Sequence, residues 1–399
     1  MLDDMNKSEE IFERAKKLLP MGVSYRLRSF PPHPIYFSRA EGSRLWDVDG
    51  LEYTDYWCGH FALILGHNHP QVLKALEEQV GKGIFYGLEH ELIPEVAGKV
   101  VAHLPSAEMV RFTSSGTEAN MYAIRLARTA TKRSMVCKFQ GGWHGGYDSL
   151  DMGMGGGVES GGILNCVSDN TLILPFNDLE GTAKTIKNCE EEIACIIVEP
   201  VLGAGGIIPG EMEFLKGLRE ISQDNGIVLI FDEVITGFRF PGGAQSHYGV
   251  SPDVTTLGKT LGGGLPIGAI AGRKELMERM DDLKFSGDEY SFQGGTFTAH
   301  PLSLAAGSAT LNQLDSQLYA KVDGLGERVR KGAEEIGIET TGIGSLFCMH
   351  MERSEPIFQD LLKNGIMMLK PSMLHGAISS AHSSEDVEKL LGVLEKSSS

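Results

Sequence analysis

From about residue 110 the chain alternates short apolar runs with stretches of helical periodicity. The runs are "MVRF" (109–112), "MVCKF" (135–139), "ACIIVEP" (194–200), "IVLIFDEV" (227–234), "VTTLG" (254–258) and "IGAIAG" (267–272). Apolar on both faces and separated by room for a crossover helix, they predict an α/β fold, a mostly parallel central sheet wrapped by helices. In such a sheet ligands bind just outside the carboxyl ends of the strands, so the residues after each run carry the functional information.

The remaining segments organise around that core. Near the start Ile11, Phe12, Ala15, Leu18 and Leu19 recur with helical spacing until Pro20, which predicts a short amphipathic helix. After about residue 302 the pattern predicts a helix over 315–336, a strand at "LFCMHM" (346–351), a helix ending before Gly365, a strand at "IMMLK" (366–370) and a last helix after Ser383. The expected division is an N-terminal arm and helix (1–60) that joins the small domain, a large α/β domain (61–300) and a C-terminal small α+β domain (301–399). The stretch "MGMGGGVESGG" (152–162) is too glycine-rich for helix or strand and reads as a loop, either plainly flexible or a gate.

Composition narrows the partners. Lys plus Arg total 36 against 53 Asp plus Glu, a formal charge of −17, which argues against nucleic acid or an anionic membrane as the main partner. The opening "MLDDMNKSEE" lacks the basic start and apolar core of a signal peptide, and no apolar segment reaches the ~20 residues that span a bilayer, so a cytoplasmic location is expected. Cys58, Cys137, Cys166, Cys189, Cys195 and Cys348 show no CxxC spacing and read as reduced thiols, with neither a disulfide framework nor a metal site.

Four strand ends are chemically selective. "TSSGTEAN" (113–120) feeds a helix and offers Ser115, Gly116 and Thr117 as hydroxyls and free amides at its N-terminus, a phosphate site or a plain cap. "QGGWHGG" (140–146) holds Trp143 and His144 between glycine pairs, where the indole can lie flat on an aromatic ligand or simply pack. Asp232 and Glu233 follow a fully apolar strand, and a carboxylate there needs a cationic partner unless the turn is exposed. Lys259 follows "VTTLG" and precedes Gly262, Gly263 and Gly264. It ends a Walker-like Gly-Lys-Thr, but Asp253 stands where a phosphate loop needs its first glycine. In a pocket of low polarity its amine is neutral and able to form an imine with an aldehyde, and the glycines suit a chain passing close to something flat. Phosphate cradle, flat aromatic, acid and amine, in that chain order, describe a site for pyridoxal 5′-phosphate.

The chain resembles the class III aminotransferases of fold type I, in the branch of glutamate-1-semialdehyde 2,1-aminomutases and β-amino-acid aminotransferases. The resemblance runs through "AEGSRLWDVDGLEYTDY" (40–56), "LGHNHPQV" (65–72), "FTSSGTEAN", "VEP" (198–200), "FDEVITGFR" (231–239), "SPDVTTLGKTLGGGLPIG" (251–268) and "GGTFTAHPLSLAAG" (294–307). It implies that Lys259 holds the cofactor as an aldimine, that Asp232 pairs with the pyridine nitrogen, and that Ser115, Gly116 and Thr117 bind the phosphate with Thr296 donated by a second subunit of a homodimer. Trp143 and Val234 would cover the two ring faces, and His144 and Glu199 would support them. Arg26 and Arg28 would grip a substrate carboxylate, beside His60. His60, Ala204 and His375 depart from the tryptophan, asparagine and carboxylate of the aminomutase pattern. The implied reaction is amino transfer from an amino acid, β- or ω-amino donors favoured, to a keto or aldehyde acceptor, with the intramolecular aminomutase as the alternative.

Overall fold

A computed structural model describes residues 6–154, 161–351, 354–368 and 373–398. The chain forms two compact units, 71–319 and 1–70 with 320–399.

The larger unit is built on a seven-stranded sheet. Its strands are Met109–Thr113 (β1), Met135–Phe139 (β2), Thr171–Leu174 (β3), Ile193–Val198 (β4), Val228–Asp232 (β5), Val254–Gly258 (β6) and Gly268–Gly272 (β7). They lie in the order β1-β7-β6-β5-β4-β2-β3. Strand β7 runs antiparallel to both neighbours, and every other pair is parallel. Every residue of β4, β5, β6 and β7 is buried, which is why their sequences are continuous apolar runs with no alternation. Strand β3, at the edge, is absent from the sequence expectation; its four residues are only partly buried until Leu174.

Helices cover both faces. On one, Ala119, Ala123 and Ala127 of the Gly116–Thr131 helix share a core with Val136, Ile197, Ile230, Val254 and Ile270. Small residues at that spacing let the helix lie close to the sheet. On the other, Val96 and Val100 of the Leu92–His103 helix and Leu304 of the Pro301–Leu311 helix pack on Phe112, Leu257, Ala269 and Ala271.

Two contacts at strand ends explain residues singled out by the sequence. Asp253, which excludes a phosphate loop, is buried and accepts from Leu229 N (2.8 Å) and Arg219 Nη2 (3.1 Å), while its Oδ1 pairs with Arg273 Nη2 at 2.9 Å. One carboxylate thus ties β5 to the start of β6 and to the chain leaving β7. Two of the glycines after Lys259, Gly262 and Gly263, are required by packing. A Cβ on Gly263 would sit 2.6 Å from Ala306 O, one on Gly262 2.8 Å from Ile267 Cγ2, and one on Gly307 only 2.1 Å from Leu261 O. They let the Lys259–Gly262 turn press against the Pro301–Leu311 helix.

The smaller unit interleaves the two chain ends. Phe37–Glu41, Arg44–Asp47 and Glu52–Asp55 form an antiparallel meander, joined by Ile366–Met367 running parallel to the third strand. Glu339–Ile343, Leu346–His350 and Met373–Ala377 make a second antiparallel sheet. The helices include Lys7–Ala15, Ser354–Lys363 and Ser384–Ser398. The N-terminal helix ends at Ala15, four residues short of Leu19, and the backbone turns through Leu18 N→Ala15 O (2.9 Å). Leu18 is therefore 82% exposed and Leu19 42%. Of "IMMLK", Leu369 and Lys370 lie outside the described residues, as do 155–160 of the glycine-rich stretch.

The unit limits fall at 70 and 319, against 60 and 300 in the sequence division. Residues 61–70 go with the small unit because His67 bonds Asp55 at 2.7 Å and exchanges backbone bonds with Gly42. Residues 301–319 go with the large unit through the packing of Leu304 and Leu311. Of the cysteines, Cys58, Cys137, Cys195 and Cys348 are buried, and all six are free thiols. Among the described residues no helix is long and apolar enough to cross a membrane.

Gly307→Ala should destabilise the protein by about 2 kcal/mol through overpacking. Gly324→Ala, in the Ser316–Glu335 helix with nothing within 4 Å of its Cβ, should stabilise by about 0.5 kcal/mol. Denaturant unfolding of the two variants checks both signs.

Candidate active site

Asp232 is the last residue of β5 and is buried. Its Oδ2 accepts from Asn120 Nδ2 at 2.7 Å and faces His144 Nδ1 at 2.7 Å, and its Oδ1 accepts from Val234 N at 3.0 Å. Asn120 belongs to the Gly116–Thr131 helix; its Oδ1 accepts from Thr256 Oγ1 of β6 at 2.6 Å, and its Nδ2 also donates to His144 O at 3.0 Å. With Asp232 as acceptor, the network assigns the His144 proton to Nδ1. Burial lowers the imidazole pKa, Asp232 opposes that shift, and the Lys138 charge adds to it.

Lys138 is fully buried on β2, and its ammonium donates to the carbonyls of Gly142 (3.1 Å), Leu150 (2.8 Å) and Met152. Three donors meet three acceptors, which folds segment 142–152 back over the strand end. This fixes Trp143 and His144 in position.

Lys259 follows β6 with φ +47°, a left-handed conformation unusual for a side chain of this size. Its accessible surface is intermediate, yet atoms crowd its ammonium: burial is the main cause that lowers its pKa, with Asp232 and then Glu199 opposing and Arg239 adding to the fall. Glu199 follows β4, is buried, and accepts from Trp143 N at 2.8 Å and Gly203 N at 2.9 Å. Burial, and next the neighbouring Asp232 charge, push its carboxyl up to about 8.

Glu233 points elsewhere. It is buried and accepts from Ala244 N (2.6 Å), Gln245 N (3.1 Å), Gln245 Nε2 (3.0 Å) and Thr236 Oγ1 (3.0 Å). The two adjacent acids therefore divide their work: Asp232 faces the site and Glu233 anchors the following turn.

Ser115 caps the Gly116–Thr131 helix, its Oγ accepting from Glu118 N at 3.2 Å, while Glu118 Oε2 accepts from Ser114 N at 2.7 Å. The amides of Gly116 and Thr117 lie in the first turn, where backbone N–H groups have no intrahelical acceptor and can bind an anion. Close approaches gather the elements here. A Cβ on Gly145 would lie 2.2 Å from Thr117 Oγ1, one on Gly116 2.9 Å from Val234 Cγ2, and one on Gly258 3.2 Å from Val234 Cγ1. Trp143 keeps 36% of its surface exposed.

Thr296 lies exposed in the large unit. Arg26, Arg28 and His60 lie in the small unit. Arg28 Nη1 donates to Ser24 Oγ at 3.1 Å, its guanidinium sits 6.0 Å from the Tyr25 ring centre, and the His60 ring packs 4.1 Å from Trp57 and 5.7 Å from Tyr25. Asn120, Thr256 and Lys138 are supporting residues that sequence reasoning missed. Each has a signal: a polar or charged side chain inside an otherwise apolar face of the core.

A parallel-rich sheet carries a capped helix N-terminus after β1 and, at the adjacent ends of β5 and β6, a buried acid and an amine. Residues 27–391 match the class-III aminotransferase family, and the chain belongs to it. It is a fold type I enzyme dependent on pyridoxal 5′-phosphate. Its relatives include the glutamate-1-semialdehyde 2,1-aminomutase of Ignicoccus hospitalis, 43% identical over 413 residues that cover 96% of each chain. Among solved structures, an omega-transaminase from Sphaerobacter thermophilus matches with a TM-score of 0.94 and 32% identity, covering 99% of this chain and 98% of that one. A transaminase with pyridoxal phosphate bound matches with a TM-score of 0.92 and 32% identity, covering 98% and 96%. The residues present fit the cofactor: free helix amides for a phosphate, a buried carboxylate for a protonated ring nitrogen, and an amine whose pKa is lowered by burial.

Asn120→Ala removes a donor from a buried carboxylate and a partner from Thr256. The cofactor-free protein should lose about 2 kcal/mol of stability at pH 7, read from its urea midpoint.

Proposed function

We propose that this enzyme is a glutamate-1-semialdehyde 2,1-aminomutase, moving an amino group between neighbouring carbons of one substrate. The observation that carries this reading is the 43% identity to the Ignicoccus hospitalis aminomutase along 96% of both chains. The intramolecular alternative therefore displaces the intermolecular reading favoured by the sequence alone.

In this proposal Ser115, Gly116 and Thr117 hold the cofactor phosphate, and Trp143 and Val234 cover the ring faces. Asp232, oriented by Asn120 and His144, holds the ring nitrogen's proton. Bound there, pyridoxal phosphate supplies an electron-accepting ring that stabilises negative charge at a substrate carbon. Lys259 would hold the cofactor through Nζ, and as a free amine that same atom would take a proton from a substrate carbon and return it. Desolvation favours the neutral amine both jobs need. Arg26 and Arg28 are the candidates for the substrate carboxylate, with His60 as a further contact.

The working unit of the proposal is a cytoplasmic homodimer. Ile84, Phe85, Leu88, Phe292 and Phe297 are exposed on the large unit, with the Phe85 and Phe297 rings 5.3 Å apart. A patch of this kind calls for a partner surface. Thr296, next to Phe297, is then supplied to the neighbouring subunit's phosphate site.

A second reading, transfer from a β- or ω-amino acid to a keto acid, is favoured by the likeness to the omega-transaminase and by His60, Ala204 and His375. Supplying glutamate-1-semialdehyde alone separates the two. Formation of 5-amino-4-oxopentanoate without any added acceptor supports the mutase. Turnover only when a β-amino acid and a keto acid are both present supports the transaminase.

Lys259→Ala should abolish turnover and the mass increment left after borohydride reduction of the loaded protein; a retained increment refutes the assignment of Lys259. Phe297→Glu should shift the sedimenting species from dimer to monomer and weaken cofactor binding at least tenfold, measured by ultracentrifugation and by fluorescence titration of the cofactor-free protein.

A further inference from the structure

We propose that Lys138 is a positioning residue for the coenzyme: its buried ammonium serves as a tethered cation at the centre of the 141–153 loop, and the grip of that cation sets how tightly the protein holds pyridoxal phosphate. This rests on the cofactor reading above and extends it to a residue that acts through Trp143 and His144.

The ends of this loop are tied together. Gly141 N donates to Gly153 O at 2.8 Å, and Gly142 N turns back to Phe139 O at 3.1 Å. Gly141 and Gly153 have φ of +83° and +82°, which glycine adopts without strain. A surface loop closed on itself in this way is held by the side chains that fill it. Here the filling comes from the strand below. Val136 and Lys138 share one face of β2, and Val136 lies with Leu150 in the core beside the Gly116–Thr131 helix. Lys138 is fully buried, and its ammonium donates to the carbonyls of Gly142 at the start of the loop and of Leu150 and Met152 at its end.

A buried ammonium is tolerated only with acceptors at hand, and buried carbonyls only with donors. Each side therefore requires the other. Carbonyls converging on one positive charge are the means by which proteins hold a monovalent metal ion. A lysine achieves the same result with a cation that cannot leave, and its three N–H groups give each carbonyl a directed bond.

Between the clamped ends the loop carries Trp143 and His144. Both are held by groups outside the loop: Trp143 N donates to Glu199 Oε1 at 2.8 Å, His144 O accepts from Asn120 Nδ2 at 3.0 Å, and His144 Nδ1 faces Asp232 Oδ2 at 2.7 Å. Lys138 holds the same segment from inside the loop, through the carbonyl of the residue that precedes Trp143. Without the ammonium, three carbonyls lose a donor and regain one only by turning toward water. Trp143 and His144 move with them. The coenzyme then meets an indole and an imidazole that are no longer preorganised, and its affinity falls.

The deciding experiment is chemical rescue of Lys138→Ala, because propylammonium supplies the very atoms that the substitution removes. Lys138→Ala should bind pyridoxal phosphate about tenfold more weakly than the wild type, or worse, in a fluorescence titration of the cofactor-free protein. Added propylammonium should restore the affinity, whereas tetramethylammonium, a cation without N–H groups, and neutral 1-propanol should not. Lys138→Met, which fills the space without a charge, should bind as weakly and respond to none of the three. With 5-fluorotryptophan at Trp46, Trp57 and Trp143, the fluorine signal of Trp143, assigned through Trp143→Phe, should shift or broaden in cofactor-free Lys138→Ala and return with propylammonium. Wild-type affinity in Lys138→Met, a loss that propylammonium leaves untouched, or an unchanged Trp143 signal overturns the proposal. So does a protein that no longer folds without the ammonium, since the lysine then serves the fold as a whole. If cofactor fails to attach to Lys259 in the wild type, the proposed function fails, while the fluorine signals of the cofactor-free protein still report on Lys138.

Discussion

A carboxylate withdrawn from water keeps its charge only where other donors replace the lost solvent. Asp232 meets that condition through three partners from three different elements, and each partner is fixed in turn. Asn120 is held by Thr256 of the neighbouring strand, and His144 sits in a segment pinned by the buried ammonium of Lys138. One negative charge therefore sets the spacing of helix, loop and two strands. The helix N-terminus at Gly116 and the amine at Lys259 inherit their positions from the same elements.

Close backbone approach is the second constraint. At Gly268 a Cβ would fall 2.1 Å from Ser115 O, so the antiparallel strand β7 starts against the turn that precedes the cradle. Gly145 against Thr117 and Gly258 against Val234 draw two further strand ends inward. The site is compact because side chains are absent where the elements meet. The same holds after Lys259, where a Cβ on Gly263 would meet Ala306 O of the Pro301–Leu311 helix at 2.6 Å.

Much of this was legible in the sequence because burial on both faces writes itself as a continuous apolar run. Strands β4 to β7 announced themselves in that way, and Asp232 and Lys259 stood out as polar residues at their ends. Strand β3 did not, since four half-buried residues at a sheet edge leave little pattern. Asn120 and Thr256 sat inside stretches already recognised, but their roles depend on pairing across 136 positions, which periodicity does not encode. The N-terminal helix stopped at Ala15 because nothing in its own unit covers Leu18, and a spacing rule reads only the possibility of a face. Substrate choice was the least legible layer. His60 and His375 depart from the aminomutase pattern, while the chain is 43% identical to an aminomutase along 96% of its length, so local motif and overall relatedness point different ways.

The small unit's first sheet joins Ile366–Met367 to Glu52–Asp55, pairing Ile366 with Thr54 and Met367 with Asp55. During synthesis the early strand waits, one edge open, while some three hundred later residues emerge, and an open edge is a template for wrong pairing. Residues 71–319 contain their whole sheet and can close first. The strand made early therefore gains its parallel partner only after residues 366–367 have been made.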